Sequence, residues 1–310
     1  MIMVEEPGLL TTVQDLGREG FGPLGISASG AADPVALRVG NRLLGNSPAA
    51  PALEATLAGG AWRFDADTWI ALTGSDFGAT LDGASVSTWS VHPVSAGQLL
   101  KMPSTRSGAR CYLCVSGGID VPLVLGSAST HVLSGLGGFE GRPLKKGDVL
   151  RTGPSRAPSA RSLNATLAAA LAPRRSLRVT PGLQSDWFAP ASRAALIGQS
   201  WRVTEASDRM GLRLEGVSLH LRAPREMVTS GVAVGAIQVP PSGQPLIVFV
   251  EQQTTGGYPV IANVSAADLP SVGQLRPRDS IEFEVVSHES ARTLLMEQES
   301  LIESNELLAA

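Results

Sequence analysis

Short strand-like runs punctuated by turn signals constrain this chain more than any other feature of its sequence. From Leu53 to Leu150 the apolar runs are only a few residues long, as in Ala61–Phe64, Trp69–Thr73, Gln98–Met102, Cys111–Ser116 and Asp148–Arg151. Pairs such as Asp82-Gly83 and Gly117-Gly118 separate them. Glycine and proline supply 55 of 310 residues, roughly 18% against about 12% in average proteins, so turns are dense. Runs this short, with few helical stretches between them, predict a barrel or sandwich. A second block of the same character runs from about Leu177 to Val286, with strands expected at Ser200–Glu205, Ser218–Leu221, Leu246–Val250 and Ile281–Val286.

Helices are few. Asp33 is placed to cap a helix that starts at Pro34 and stops at Gly45, with Val35, Val39 and Leu43 on one face. Residues 8–30 read as a glycine-rich loop. Pro154, Pro158 and Pro173 mark a linker with one short helical turn near 165–171. The tail from His288 to Leu308 repeats its leucines near helical spacing. The expected organisation is a domain over residues 1–152, a linker over 153–176, a second domain over 177–287 and a helical tail over 288–310.

Several functions are disfavoured by what is missing. A net charge of −3 gives no field for a nucleic-acid backbone. No apolar run nears the roughly 18 residues of a membrane span, and Met1–Leu10 lacks a basic leader, so the cytoplasm is expected. Only three lysines occur, at 101, 145 and 146, against 22 arginines. No lysine follows a glycine, which removes the Walker phosphate loop. The run Gly135–Gly141 misses the dinucleotide-binding spacing. The nucleophile elbow G-x-S-x-G is absent, and no lysine stands near a Gly-Ser-Ser run to serve a Ser–Ser–Lys amidase. Cys111 and Cys114 lie three apart in a strand, so their sulfurs point to opposite faces, and no metal site is expected.

Three polar clusters carry chemistry. Thr11–Arg18 with Ser27–Asp33 gathers hydroxyls, an amide, two carboxylates and a guanidinium in glycine-rich loops. Ser207–Arg213 is a charged turn. Glu251–Pro259 follows an apolar strand and offers hydroxyls and backbone N–H groups to a carbonyl or anion. Glu54 and Glu226 are carboxylates in apolar surroundings, for which an arginine partner is expected.

These clusters, in this order, resemble the family variously called KipA, allophanate hydrolase subunit 2 and the C subunit of 5-oxoprolinase. The module also resembles the carboxyltransferase region of urea carboxylase. The matching stretches are Thr11–Arg18, Ser29–Asn46 with Leu53–Thr56, Gly117–Ile119, Leu125–Thr130, Gly137–Gly147, Ser207–Leu214, Gly231–Gly243 and Gln253–Ala262. The resemblance implies a mainly β fold of two cyclophilin-like β-barrel domains with a few short helices and a C-terminal helix. It implies an ATP-hydrolysing 5-oxoprolinase that opens 5-oxoproline to glutamate, in which this chain is the C subunit. Its expected partners are the B subunit, a KipI-like homologue, and the A subunit. With no phosphate-binding loop in this chain, the ATP site is expected to be unconventional, shared across subunits or on a partner.

Motifs and polar clusters together point to Arg18, Asp33, Arg209, Gln253 and Thr254 as catalytic groups. Gln14, Ser29, Asn41, Gln238 and Tyr258 are expected to bind substrate. Arg18 and Arg209 would hold carboxylate or phosphoryl oxygens, while Gln238, Gln253 and Thr254 would bond an amide or its oxyanion. Capping alone also accounts for Asp33. The chain departs from the resembled pattern at Val260, at Glu251-Gln252 and at Thr229-Ser230-Gly231, where a basic residue, Asp-Arg and Ser-Glu/Asp-Gly are usual. Two alternatives remain: a carboxyltransferase moving CO₂ from carboxybiotin to a urea-like acceptor, and a non-enzymatic regulator that binds a kinase-inhibitor homologue.

Overall fold

The structure is a computed structural model that describes residues 1–159 and 162–309. Ala160 and Arg161 of the expected linker, and Ala310, lie outside the described residues. The chain divides into two compact units that are not contiguous in sequence. The first comprises Met1–Arg18, Ser29–Leu171 and Ser300–Ala310, and the second Glu19–Ala28 and Ala172–Glu299.

In the first unit the strands are β1 (Ile2–Glu6), β2 (Leu10–Gln14), β3 (Ala52–Thr56), β4 (Ala58–Phe64), β5 (Thr68–Gly74), β6 (Thr80–Leu81), β7 (Ala84–Ser85), β8 (Val91–Val94), β9 (Leu99–Ser104), β10 (Arg110–Val115), β11 (Ile119–Asp120) and β12 (Val149–Thr152). They form a seven-stranded sheet in the order β11-β12-β1-β4-β9-β6-β7 and a five-stranded sheet in the order β2-β3-β10-β5-β8. Ile2, Trp62, Phe64 and Leu100 of the larger sheet share one apolar core with Val13, Leu53, Leu72 and Leu113 of the smaller. Burying each such side chain stabilises by ~1.5–3 kcal/mol.

Helix α1 (Pro34–Leu43) belongs to a second core with Ala52, Ala71, Tyr112 and Cys114. The five-stranded sheet therefore has apolar cover on both faces, which is why all six residues of β10 are buried. Asp33 caps α1 by accepting the Ala36 N–H at 2.9 Å. Residues 8–30 are not all loop, because Leu10–Gln14 pairs in register with Ala52–Thr56 as β2. Four of its five residues are buried, so the alternation that marks a half-exposed strand is missing from the sequence.

A strand pair of β13 (Ser162–Leu163) and the C-terminal Leu308–Ala309 closes this unit, next to the short helix α2 (Ala165–Ala168). Ile302 and Leu307 enter the core beside α1.

The second unit is a closed barrel. Its strands are β14 (Ser176–Pro181), β15 (Trp201–Val203), β16 (Gly211–Glu215), β17 (Ser230–Gly231), β18 (Ala236–Gln238), β19 (Leu246–Val248), β20 (Thr255–Gly256), β21 (Val260–Val264) and β22 (Ser280–Val285). The barrel order is β14-β21-β18-β19-β16-β15-β22, and a parallel β14–β22 pair closes it. Burial alternates along β15, β16 and β22, with Trp201, Val203, Leu212, Leu214, Ile281 and Phe283 inside. Helices α3 (Pro190–Gly198) and α4 (Leu269–Gly273) complete the unit. The strand expected at Ser218–Leu221 does not form; only Leu221 makes an isolated bridge, to Phe188. Helix α5 (His288–Glu303) follows β22. It ends where Ser304 caps a short turn by accepting the Glu306 N–H at 3.1 Å, so the tail is helical only to Glu303. The last strand, Leu308–Ala309, is β23.

The mainly β fold and C-terminal helix agree with expectation. The barrel is complete in the second unit, whereas strand pairing in the first unit leaves two sheets.

Candidate functional site

In the first unit the polar cluster after β2 is buried. Asp15 sits at the strand's end, where its carboxylate accepts the Gly17 N–H at 2.8 Å, the Ala128 N–H at 2.6 Å, the Ser127 hydroxyl at 2.7 Å and the Ser129 hydroxyl. Arg18, 2% exposed, donates to the carbonyls of Ser129 and, at 3.5 Å, of Val124. Gln14 Nε2 donates to the Thr12 hydroxyl at 2.9 Å and to the Thr130 carbonyl at 3.1 Å. Ser29 Oγ donates to the same carbonyl at 2.8 Å. Gln14, Arg18 and Ser29 thus converge on one segment, Ser127–Thr130. The glycines there are required: a Cβ on Gly137 would lie 2.7 Å from Arg18 Nη2. Gln14 Oε1 is buried with no partner among the described residues.

The other two expected residues of this unit lie elsewhere in it. Asp33 caps α1, and its N–H donates to the Tyr112 hydroxyl at 2.8 Å. Tyr112 in turn donates to Glu54 at 2.6 Å, and Glu54 faces Arg110 at 3.4 Å. Burial first, and the Glu54 charge next, push the Tyr112 hydroxyl well above its ordinary range. Asn41 Nδ2 donates to the Ala50 carbonyl at 2.7 Å, and its Oδ1 accepts from Asn46, so it ties down the loop after α1. Glu54 has the arginine neighbour expected of it. Glu226 does not need one, because it is exposed.

In the second unit the corresponding residues border an open cleft of about 960 Å³. Gln238, Gln252, Gln253, Tyr258, Asp208 and Arg213 are on its walls. Gln238 ends β18, where its Nε2 donates to the Tyr258 carbonyl at 3.4 Å. Gly256 gives it room, since a Cβ there would lie 2.7 Å from that nitrogen. Gln253 is exposed and Tyr258 is 44% exposed. Two buried atoms of the cleft residues, Gln252 Oε1 and Thr204 Oγ1, have no hydrogen-bond partner among the described residues. Arg213 makes no side-chain hydrogen bond or ion pair among the described residues. The cleft can therefore offer amide groups, a hydroxyl and one uncommitted guanidinium.

Arg209 and Thr254 are not on those walls. Arg209 is 5% exposed and its Nε is ion-paired with Glu251. The Thr254 carbonyl accepts the Val232 N–H at 3.1 Å. Asp208 shapes its turn by accepting the N–H groups of Met210 at 2.8 Å and Gly211 at 3.1 Å. Sequence reasoning missed Arg213, Gln252 and Thr204 as cleft residues. Arg213 and Gln252 stand inside the polar clusters, but which member faces the cleft depends on strand register, which the clusters do not encode.

Cys111 and Cys114 face different cores, and burial pushes the Cys114 thiol up to about 12 and the Cys111 thiol higher still. Among the described residues, no group of three or more His, Cys, Asp or Glu could hold a metal ion, and no helix is long and apolar enough to cross a membrane.

Fold and site define a mainly β module with a closed barrel and an amide-lined cleft. The chain belongs to the family described as carboxyltransferase domain, subdomain A and B, which it matches over residues 24–285. It is 41% identical to the 5-oxoprolinase C subunit of Escherichia coli over 98% of this chain and 97% of that one. It is also 41% identical to the 5-oxoprolinase C subunit of Haemophilus influenzae, over 93% of this chain and 92% of the relative. The crystal structure of Kluyveromyces lactis urea carboxylase superposes over 100% of this chain with a TM-score of 0.90 and 32% identity. This chain covers 30% of that larger protein.

Proposed function

We propose that this chain is the C subunit of a 5-oxoprolinase, a hydrolase complex that opens the cyclic amide of 5-oxoproline to glutamate with ATP hydrolysis. The observation that carries this reading is 41% identity to a 5-oxoprolinase C subunit over nearly the full length of both chains. The complex requires two partners, an A subunit and a smaller, homologous B subunit, and works in the cytoplasm.

The cleft of the second unit suits the substrate's chemistry. Gln238, Gln252 and Gln253 can pair with the lactam N–H and carbonyl, as donors and acceptors both. Arg213 is uncommitted among the described residues and takes the substrate carboxylate in two-point fashion. Arg209, committed to Glu251, ties its loop to the segment after β19 instead. In the first unit, Arg18, Gln14 and Ser29 act by holding the Ser127–Thr130 segment, and Asp33 and Asn41 by fixing α1 and the loop after it.

ATP does not fit the cleft. Its charged wall residues are Asp208, Arg213 and Glu215, two acids to one base, and no lysine is among them. The α1 N-terminus is already capped by Asp33. The phosphates are assigned instead to a partner or to a site this chain shares with one.

Carboxyl transfer from carboxybiotin is the second reading, favoured by the TM-score of 0.90 to urea carboxylase. One experiment separates the two: glutamate formation from 5-oxoproline and ATP by the co-purified A and B subunits, with and without this chain, each with and without avidin. The expected result is product only when this chain is present, unaffected by avidin. Avidin-sensitive turnover, or turnover without this chain, would overturn the proposal.

A further inference from the structure

The second unit has another cleft, which shares no wall residue with the amide-lined one. It is small, about 270 Å³, and forms where α3 packs beside β14, β21 and β22. Pro190 opens α3 at its first helical position, and Gly198 ends it. Ser192 Oγ fixes the helix by accepting the His220 N–H at 2.8 Å. The cleft walls are mainly aliphatic, with Val179, Leu196, Ile197, Ile261, Ala262 and Val285.

One charged side chain stands among them. Arg193, on α3, is the only charged wall residue among those described. Its Nε is buried and has no hydrogen-bond partner among the described residues. No carboxylate pairs with its guanidinium there. An arginine nitrogen removed from water without a partner is costly, and an anion that supplies the missing acceptor recovers that cost. The hydroxyls of Thr180 and Ser185 are also on the wall and donate to no described residue.

We propose that this cleft is a second ligand site, which binds a small aliphatic monocarboxylate. The carboxylate pairs with Arg193 and accepts from Thr180 and Ser185, and the alkyl body lies on Ile197, Ile261 and Val285. The volume limits the body to roughly four to seven carbons. A dicarboxylate such as glutamate is excluded, because its second charge would face an apolar wall with no partner. The site shares no wall residue with the cleft assigned to 5-oxoproline, and it does not depend on that assignment.

The test is titration of the full chain with hexanoate, hexanamide and hexylamine, followed by methyl NMR and calorimetry. Hexanoate is expected to saturate with a millimolar or tighter Kd and to shift the methyl signals of Ile197, Ile261 and Val285. Hexanamide should bind about tenfold more weakly, and hexylamine not at all. Arg193→Gln should remove the preference for hexanoate over hexanamide. Ile197→Trp, at a half-exposed position, should fill the cleft and abolish both; unchanged thermal melting shows that the variants are folded. Equal binding of acid and amide, retention of the preference in Arg193→Gln, or shifts confined to other methyls would overturn the proposal.

Discussion

The two units use the same kinds of residue to opposite ends. In the first, an aspartate, an arginine, a glutamine and a serine are buried around Ser127–Thr130 and bond to it. In the second, glutamines, a tyrosine and an arginine border an open cleft, with Gln253 exposed and Tyr258 44% exposed. Matched and buried polar groups specify a loop; unmatched ones at an opening can bind a ligand. Polar composition alone therefore does not locate a site. What distinguishes the two is whether the polar groups border an opening, since Gln14 Oε1 is left without a partner among the described residues in the buried cluster too.

That contrast fails most visibly if the buried cluster can be cut without harm. Asp15→Ala strands two backbone N–H groups and two hydroxyls, and should cost ~3–5 kcal/mol, read as a lower urea midpoint for the first unit. An unchanged midpoint would mean that the cluster is not structural.

Tyr112→Phe tests the neighbouring network and should cost ~1–3 kcal/mol near neutral pH. The folded Tyr112 hydroxyl titrates well above its ordinary value. Its contribution is thus fully present below about pH 10, the unfolded value, and is lost as pH rises above it. The gap between wild type and Tyr112→Phe should accordingly narrow between about pH 9 and pH 12. A gap that widens with pH would contradict the assignment.

Gln253→Ala sharpens the other side. Being exposed and without a side-chain bond among the described residues, it should shift the midpoint by less than ~0.5 kcal/mol. The smallest effect is expected of the thiols: with Cys114 pushed up to about 12 by burial, neither cysteine should react with a disulfide reagent at about pH 8 until the chain is unfolded.

The sequence made some of this legible and hid the rest for definable reasons. The α1 boundaries were readable, because Asp33, Pro34 and Gly45 are local signals. So was the opposite facing of Cys111 and Cys114, which follows from strand geometry. The strand Leu10–Gln14 was not readable, since burial on both faces erases alternation. Helix α3 was missed because its short, Ala-rich stretch is weakly patterned, and Ser218–Leu221 was misread because two isolated leucines imitate a strand. For the site, the structure puts some cluster members in buried networks and others on the cleft wall. Their split into committed residues such as Arg209 and available ones such as Arg213 depends on partners distant in sequence, Glu251 being 42 residues from Arg209.

The most direct measurement is the kcat/KM for 5-oxoproline-dependent glutamate formation by the complex of the A and B subunits with Gln253→Ala in place of the wild-type chain. The account predicts a loss of about tenfold or more, with the urea midpoint unchanged. Wild-type kcat/KM in that variant would contradict the placement of substrate in the open cleft of the second unit.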